Sequence, residues 1–113
     1  MDKITKLSDA IRLGATFREQ CFGLFFEDQK SCAIGAALEA LGLKENEYDA
    51  LCERFPVMHE RIQVPLELLK DRNYCLYSGA YPPIQLSSII WRLNDHLKWS
   101  RERIADWLAE QGH

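Results

Sequence analysis

The sequence predicts an all-α fold, a compact bundle of about five or six short helices with an irregular middle segment over residues 56–82. Apolar residues recur at helical rather than alternating spacing along most of the chain. Two segments carry helix start signals, Ser31 with its stop at Gly42, and Ser100 with Trp99 before it. No stretch alternates cleanly enough to read as a strand.

From Ile4, apolar residues fall at 4, 7, 11 and 15, with Ala10, Leu13 and Phe17 beside them. Gly14 and Gly23 argue against one unbroken helix through Phe26, so a break is expected near Gly14–Thr16. A second, aromatic-rich helix with Cys21, Phe22, Phe25 and Phe26 would follow, and Glu27-Asp28-Gln29-Lys30 reads as a polar turn. Ser31 can cap the segment Cys32–Leu41, and Gly42 can take the left-handed conformation that ends it, with Leu43 as the apolar contact beyond. Gly35, Ala36 and Ala37 are small enough for another helix to approach closely, which makes this the expected central helix.

Tyr48, Leu51, Cys52 and Phe55 share one face of a helix starting near Asn46, which Pro56 stops. Within 56–82, Pro65-Leu66-Glu67-Leu68-Leu69 suits one or two helical turns, and Tyr74–Tyr81 an ordered loop. Pro82-Pro83 can open a helix carrying Leu86, Ile89, Ile90 and Leu93 on one face, with Asn94-Asp95-His96 as the turn after it. Ser100 then caps the last helix, Glu102 sits near its positive end, and Trp99 with Ile104 forms a hydrophobic staple. Ile104, Trp107 and Leu108 point inward.

Composition narrows the function. A chain of 113 residues suits one domain, 1–113, and 47% hydrophobic with 27% charged residues is ordinary for a globular protein. A net charge of −3 gives no general attraction to nucleic acid or anionic membrane. Met1–Lys6 lacks the apolar run of a signal peptide, and the longest apolar stretch, Ala33–Leu43, is broken by Glu39 and too short to cross a bilayer. The expectation is a soluble cytoplasmic protein with no membrane association. Cys21, Cys32, Cys52 and Cys75 lie 11, 20 and 23 positions apart, with no CxxC pair, which suits four free thiols.

Three blocks carry a resemblance: Leu7-Ser8-Asp9-Ala10-Ile11-Arg12-Leu13-Gly14-Ala15, then Ser31-Cys32-Ala33-Ile34-Gly35-Ala36-Ala37-Leu38-Glu39-Ala40, then Leu93-Asn94-Asp95-His96-Leu97-Lys98-Trp99-Ser100-Arg101-Glu102-Arg103-Ile104-Ala105-Asp106-Trp107. In that order they resemble a group of small bacterial proteins without an established activity, over about a third of the chain. Some members carry a CPxC pair in the middle, which implies a zinc knuckle. Here the corresponding stretch is Val64-Pro65-Leu66-Glu67, with neither cysteine, so the resemblance implies no metal in this chain.

Asn94-Asp95-His96 is the most enzyme-like feature, since a carboxylate beside an imidazole can bind a metal or move protons near neutral pH. Its structural alternative is a turn, where asparagine tolerates the left-handed region and aspartate bonds nearby amides. Cys32, in the first turn of its helix, could be a thiolate nucleophile with His59 or His96 as base, or simply a small residue packed under a cap. A metal site from the four cysteines, His59 and His96 lacks the close ligand pair of structural zinc sites. Trp99–Glu110 resembles the first helix of a helix-turn-helix, but no recognition helix follows before His113, and Arg92, Arg101 and Arg103 are offset by Asp95, Glu102 and Asp106. Trp91, Trp99 and Trp107, eight residues apart, could line a binding groove or lock two helices together.

The leading expectation is therefore a non-enzymatic protein-interaction or regulatory module that binds another protein or itself, with no cofactor, no metal and no catalytic residue. Its candidate binding residues are Cys32, Asn94, Asp95, His96 and Trp99. A nucleic-acid-associated regulator is the alternative, and an enzyme using Asp95, His96 or Cys32 the third reading.

Overall fold

The computed structural model describes residues 4–69 and 84–113. Helix α1 (Leu7–Ala15) is followed by an irregular loop, a hairpin of β1 (Phe26–Glu27) and β2 (Lys30–Ser31), and helix α2 (Ala33–Ala40). A 3-10 turn at Glu45–Glu47 runs into α3 (Tyr48–Arg54), and a second at Pro56–His59 leads to β3 (Arg61–Ile62) and one helical turn, Leu66–Leu69. Strand β4 (Ile84–Gln85), α4 (Leu86–Asp95) and α5 (Arg101–Glu110) complete the described chain. Among the described residues no helix is long and apolar enough to cross a membrane.

The fold is mostly helical but not purely so, which corrects the all-α expectation. β1 pairs antiparallel with β2, Phe26 opposite Ser31, and β3 with β4, Arg61 opposite Gln85. Strands of two residues are too short to show alternation, so neither left a periodic signal. The Tyr74–Tyr81 loop and the helix-opening Pro82-Pro83 lie outside the described residues; α4 begins at Leu86, behind Gln85, without a side-chain cap.

Helix α2 is the centre, as its small residues suggested. Every side chain from Ala33 to Leu38 is buried, and α1 packs along it and along α5. Gly14 makes the first contact possible: a Cβ there would sit 1.8 Å from the Ala36 carbonyl oxygen. Leu7 and Ile11 of α1, Leu38 of α2, Leu51 of α3, Ile89, Ile90 and Leu93 of α4, and Ile104 and Leu108 of α5 fill the core. Each such fully buried side chain contributes roughly 1.5–3 kcal/mol. Gly42, at φ 71°, ends α2 in a Schellman motif, its N–H donating to the Glu39 carbonyl while the Leu43 N–H donates to Leu38 at 2.9 Å.

Three local expectations are corrected. Residues 16–25 form no helix. Gly23, at φ 87°, interrupts the backbone, and Cys21 and Ser31 pair with the opposite side of the loop, Cys21 N–H to the Ser31 carbonyl and Ser31 N–H to Glu19. The cap of α2 is Cys32 rather than Ser31, its sulfur accepting from the Gly35 N–H at 3.3 Å. Asn94 and Asp95 belong to α4 itself, His96 is its C-cap, and the left-handed residue of the turn is Lys98, at φ 56°. The last helix follows expectation: the Ser100 hydroxyl accepts from the Arg103 N–H at 3.1 Å, Glu102 lies in the first turn, and Trp99 and Ile104 are both buried.

Candidate functional site

The loop 16–31 sets Cys21, Phe25 and Phe26 against the core, and polar side chains from far along the chain hold the rest of it. Asn94, at the inner end of α4, is 1% exposed and its amide is fully used. Its Oδ1 accepts from Gln20 Nε2 at 2.8 Å and from the Ala33 N–H at 3.1 Å. Its Nδ2 donates to the Cys21 carbonyl at 3.0 Å and to Asp95 Oδ1 at 2.8 Å. Asp95 Oδ1 in turn accepts from the Gly23 N–H at 2.9 Å, and Gln20 Nε2 also reaches the Trp99 carbonyl at 2.8 Å. One asparagine thus ties the loop, the start of α2 and the α4–α5 junction together. In a low-dielectric interior such a network rigidifies because every missing partner is costly.

Arg101 clamps the other side. It is 5% exposed, and its guanidinium donates to Ser31 Oγ at 2.9 Å, to the Arg18 carbonyl at 2.6 Å and, at 3.3 Å, to the carbonyls of Ala15 and Ser31. Burial pulls its pKa down, yet arginine keeps its proton, so carbonyl dipoles carry the compensation. Arg18, whose carbonyl is held there, sends its own side chain to Glu39, with Nε at 2.9 and 2.7 Å from the two carboxylate oxygens.

Beneath the loop, Gly35 leaves room for its backbone; a Cβ would sit 2.2 Å from the Phe25 carbonyl oxygen. That carbonyl accepts from the Cys32 N–H at 3.0 Å. The result is a groove of about 200 Å³ between the loop and α4, lined by Gly23, Leu24, Phe25, Cys32, Glu45, Trp91 and Asp95. Leu24 is 52% and Trp91 42% exposed. Phe22, also exposed, lies next along the loop with Lys98 Nζ 4.1 Å from its ring centre. The His96 ring meets Trp91 edge to face at 5.2 Å.

Of the residues singled out from sequence, Cys32 and Asp95 line this groove, Asn94 braces its wall, and His96 stands at its edge against Trp91. Trp99 lies elsewhere, buried with Arg103 stacked 3.8 Å from its ring centre. Cys32 caps α2 from inside the fold. Burial pushes its thiol up to about 11, outweighing the Gly35 and Ile34 amides that pull the other way, so it is protonated at neutral pH. Burial likewise raises Cys21 and Cys52. Cys21, Cys32 and Cys52 are free, and Cys75 lies outside the described residues. Among the described residues no three histidine, cysteine, aspartate or glutamate side chains gather as a metal site.

Sequence reasoning missed Gln20, Leu24 and Glu45, took Ser31 for the cap of α2, and read Arg101 only as one of several offset cations. Arg101 did carry a signal. A cation directly after an N-cap opposes the helix dipole, so its presence there points to another task. Gln20, Leu24 and Glu45 have no such mark, because their roles depend on where the loop folds back. The chain matches no family model, and no curated protein or solved structure is similar to it.

Proposed function

We propose that this protein is a non-enzymatic interaction or regulatory module that offers the groove beside Trp91 to another protein. The observation that carries the reading is the contrast between the groove's wall and its surface. The 21–25 loop is tied down by Asn94, Asp95 and Cys32, yet Phe22 and Leu24 are exposed on it, and Leu24 lines the same groove as exposed Trp91. A preorganised loop that displays apolar and aromatic side chains suits protein recognition, where tryptophan is a favoured anchor and ordering costs have already been met. Self-association would use the same surface.

Among the described residues no observation favours the two other readings. Several of the arginines that a nucleic acid would need are engaged: Arg101 is buried, Arg12 pairs with Asp106 at 2.8 Å, Arg18 with Glu39 at 2.7 Å, and Arg103 with Glu67 at 3.7 Å. An enzyme built on Cys32 would need a thiolate that its burial disfavours. We assign the protein to the cytoplasm of a bacterium, in keeping with its free buried thiols and the resemblance in its three sequence blocks.

The test is a photo-crosslinking amino acid placed at Leu24, with exposed Glu53 of α3 as the control position, in native cell lysate. The expected result is a discrete protein adduct, or a dimer of this chain, from position 24 alone, weakened by Trp91→Ala. Equal adducts at both positions, or none, would overturn the reading.

A further inference from the structure

We infer that the groove takes a lysine or arginine side chain of the partner protein, a reading that rests on the proposed interaction function. Size is the first reason. About 200 Å³ is below the roughly 300 Å³ at which small-molecule sites begin, and suits one long side chain. The second is the distribution of polarity. Leu24, Phe25 and the neutral Cys32 thiol offer an apolar lining for an alkyl stem, and Trp91, with Arg92 5.3 Å from its ring centre, adds aromatic surface. The charged residues lining the groove, Asp95 and Glu45, are both acidic.

Charge complementarity decides the occupant. Asp95 is fixed by two N–H donors to one oxygen, the Gly23 amide and Asn94 Nδ2, leaving its Oδ2 for a ligand. An apolar occupant would strip water from both carboxylates without replacing it, and an anionic one would be repelled. A metal ion needs more oxygen ligands than these two carboxylates provide. A cationic side chain satisfies all the surfaces at once, its stem against the apolar lining and its head against the carboxylates beside Trp91. Lys98 sits over Phe22, and Arg92 lies 5.3 Å from the Trp91 ring centre; neither lines the groove.

The experiment is amide and indole NMR of the isotope-labelled whole chain, titrated with acetyl-Gly-Arg-Gly-amide, its lysine counterpart, and the citrulline counterpart, which keeps the shape of arginine without its charge. Saturable shifts at Gly23, Leu24, Cys32 and the Trp91 indole are expected with the two cationic peptides. Citrulline should bind about ten-fold more weakly, the usual scale of a charge-assisted hydrogen bond. Glu45→Gln, an exposed position that leaves the rest of the spectrum in place, should weaken arginine binding about five-fold, because one of two screened carboxylates is lost. Equal binding of citrulline and arginine would overturn the inference while leaving an apolar docking groove. No saturable shift with any peptide would overturn it too; a discrete crosslink from position 24 would then show that the interaction function stands without it, and absence of both would remove the two together.

Discussion

The α1–α2–α5 core and the loop over residues 16–31 are held by different physics. In the core, periodic apolar faces meet and a glycine, Gly14, sets how closely two helices approach. In the loop, Gln20, Asn94, Asp95 and Arg101 supply the order through hydrogen bonds, and a second glycine, Gly35, lets backbone rather than helix lie on α2. A core of the first kind tolerates many substitutions of similar volume, whereas a polar network depends on individual atoms. The loop is therefore the place where function can be built and also where it is most easily lost.

The two glycines separate the regions most sharply. Gly14→Ala drives a methyl into the Ala36 carbonyl, with backbone on both sides and nothing able to yield cheaply, so a loss of about 3 kcal/mol or more is expected in chemical denaturation. Gly35→Ala should cost less, about 1–2 kcal/mol, because the loop can lift from α2. Its mark would be loss of peptide binding in a protein that keeps its helices by circular dichroism. If the two variants behave alike, the regions are not distinct.

Asn94→Ala comes next. It strands the Ala33 N–H and the Cys21 carbonyl and takes one of two partners from Gln20 Nε2, for an expected loss of about 3 kcal/mol by denaturant titration. The aliphatic core is untouched by it, so the denaturant slope should change little.

Alkaline pH probes the thiols under the loop. Cys32 has its folded pKa raised to about 11 from an ordinary 9.0, so the fold favours the protonated form. Its contribution is fully present below pH 9.0 and lost as pH rises toward 11, by up to about 3 kcal/mol. Cys32→Ser keeps a side-chain cap and removes the titrating group, so its stability should fall less steeply over that window. Matching slopes in both proteins would show that Cys32 is not buried as described. The smallest effect concerns the turn after α4. Lys98 holds φ 56° at an exposed site, and Lys98→Gly should change stability by no more than about 0.5 kcal/mol in thermal unfolding, strain relief being offset by the entropy glycine adds and by the lost contact with Phe22.

The same division governs what the sequence revealed. Ser31–Gly42 and Ser100–Glu110 were legible because caps and apolar spacing are local signals, and both segments became helices within a residue of their expected starts. Phe22, Phe25 and Phe26 misled because their spacing mimics a helical stripe while the chain there answers to Asn94 and Arg101, which bond to it across 73 and 70 positions. The site was half legible. Cys32, Asn94, Asp95 and His96 drew attention as chemistry-bearing residues and do gather around one loop, but as its fastenings and rim. Leu24 and Glu45 became visible only once the loop's path was known.

Amide hydrogen exchange across residues 16–33 tests most directly whether this loop is a preformed wall. Protection at Cys21, Gly23, Ser31, Cys32 and Ala33 is expected to approach that of α2, and Asn94→Ala should abolish it there while α1 and α5 stay protected. Rapid exchange at those five amides in the unaltered protein would contradict the account, since an unpinned loop could not hold Leu24 in place beside Trp91.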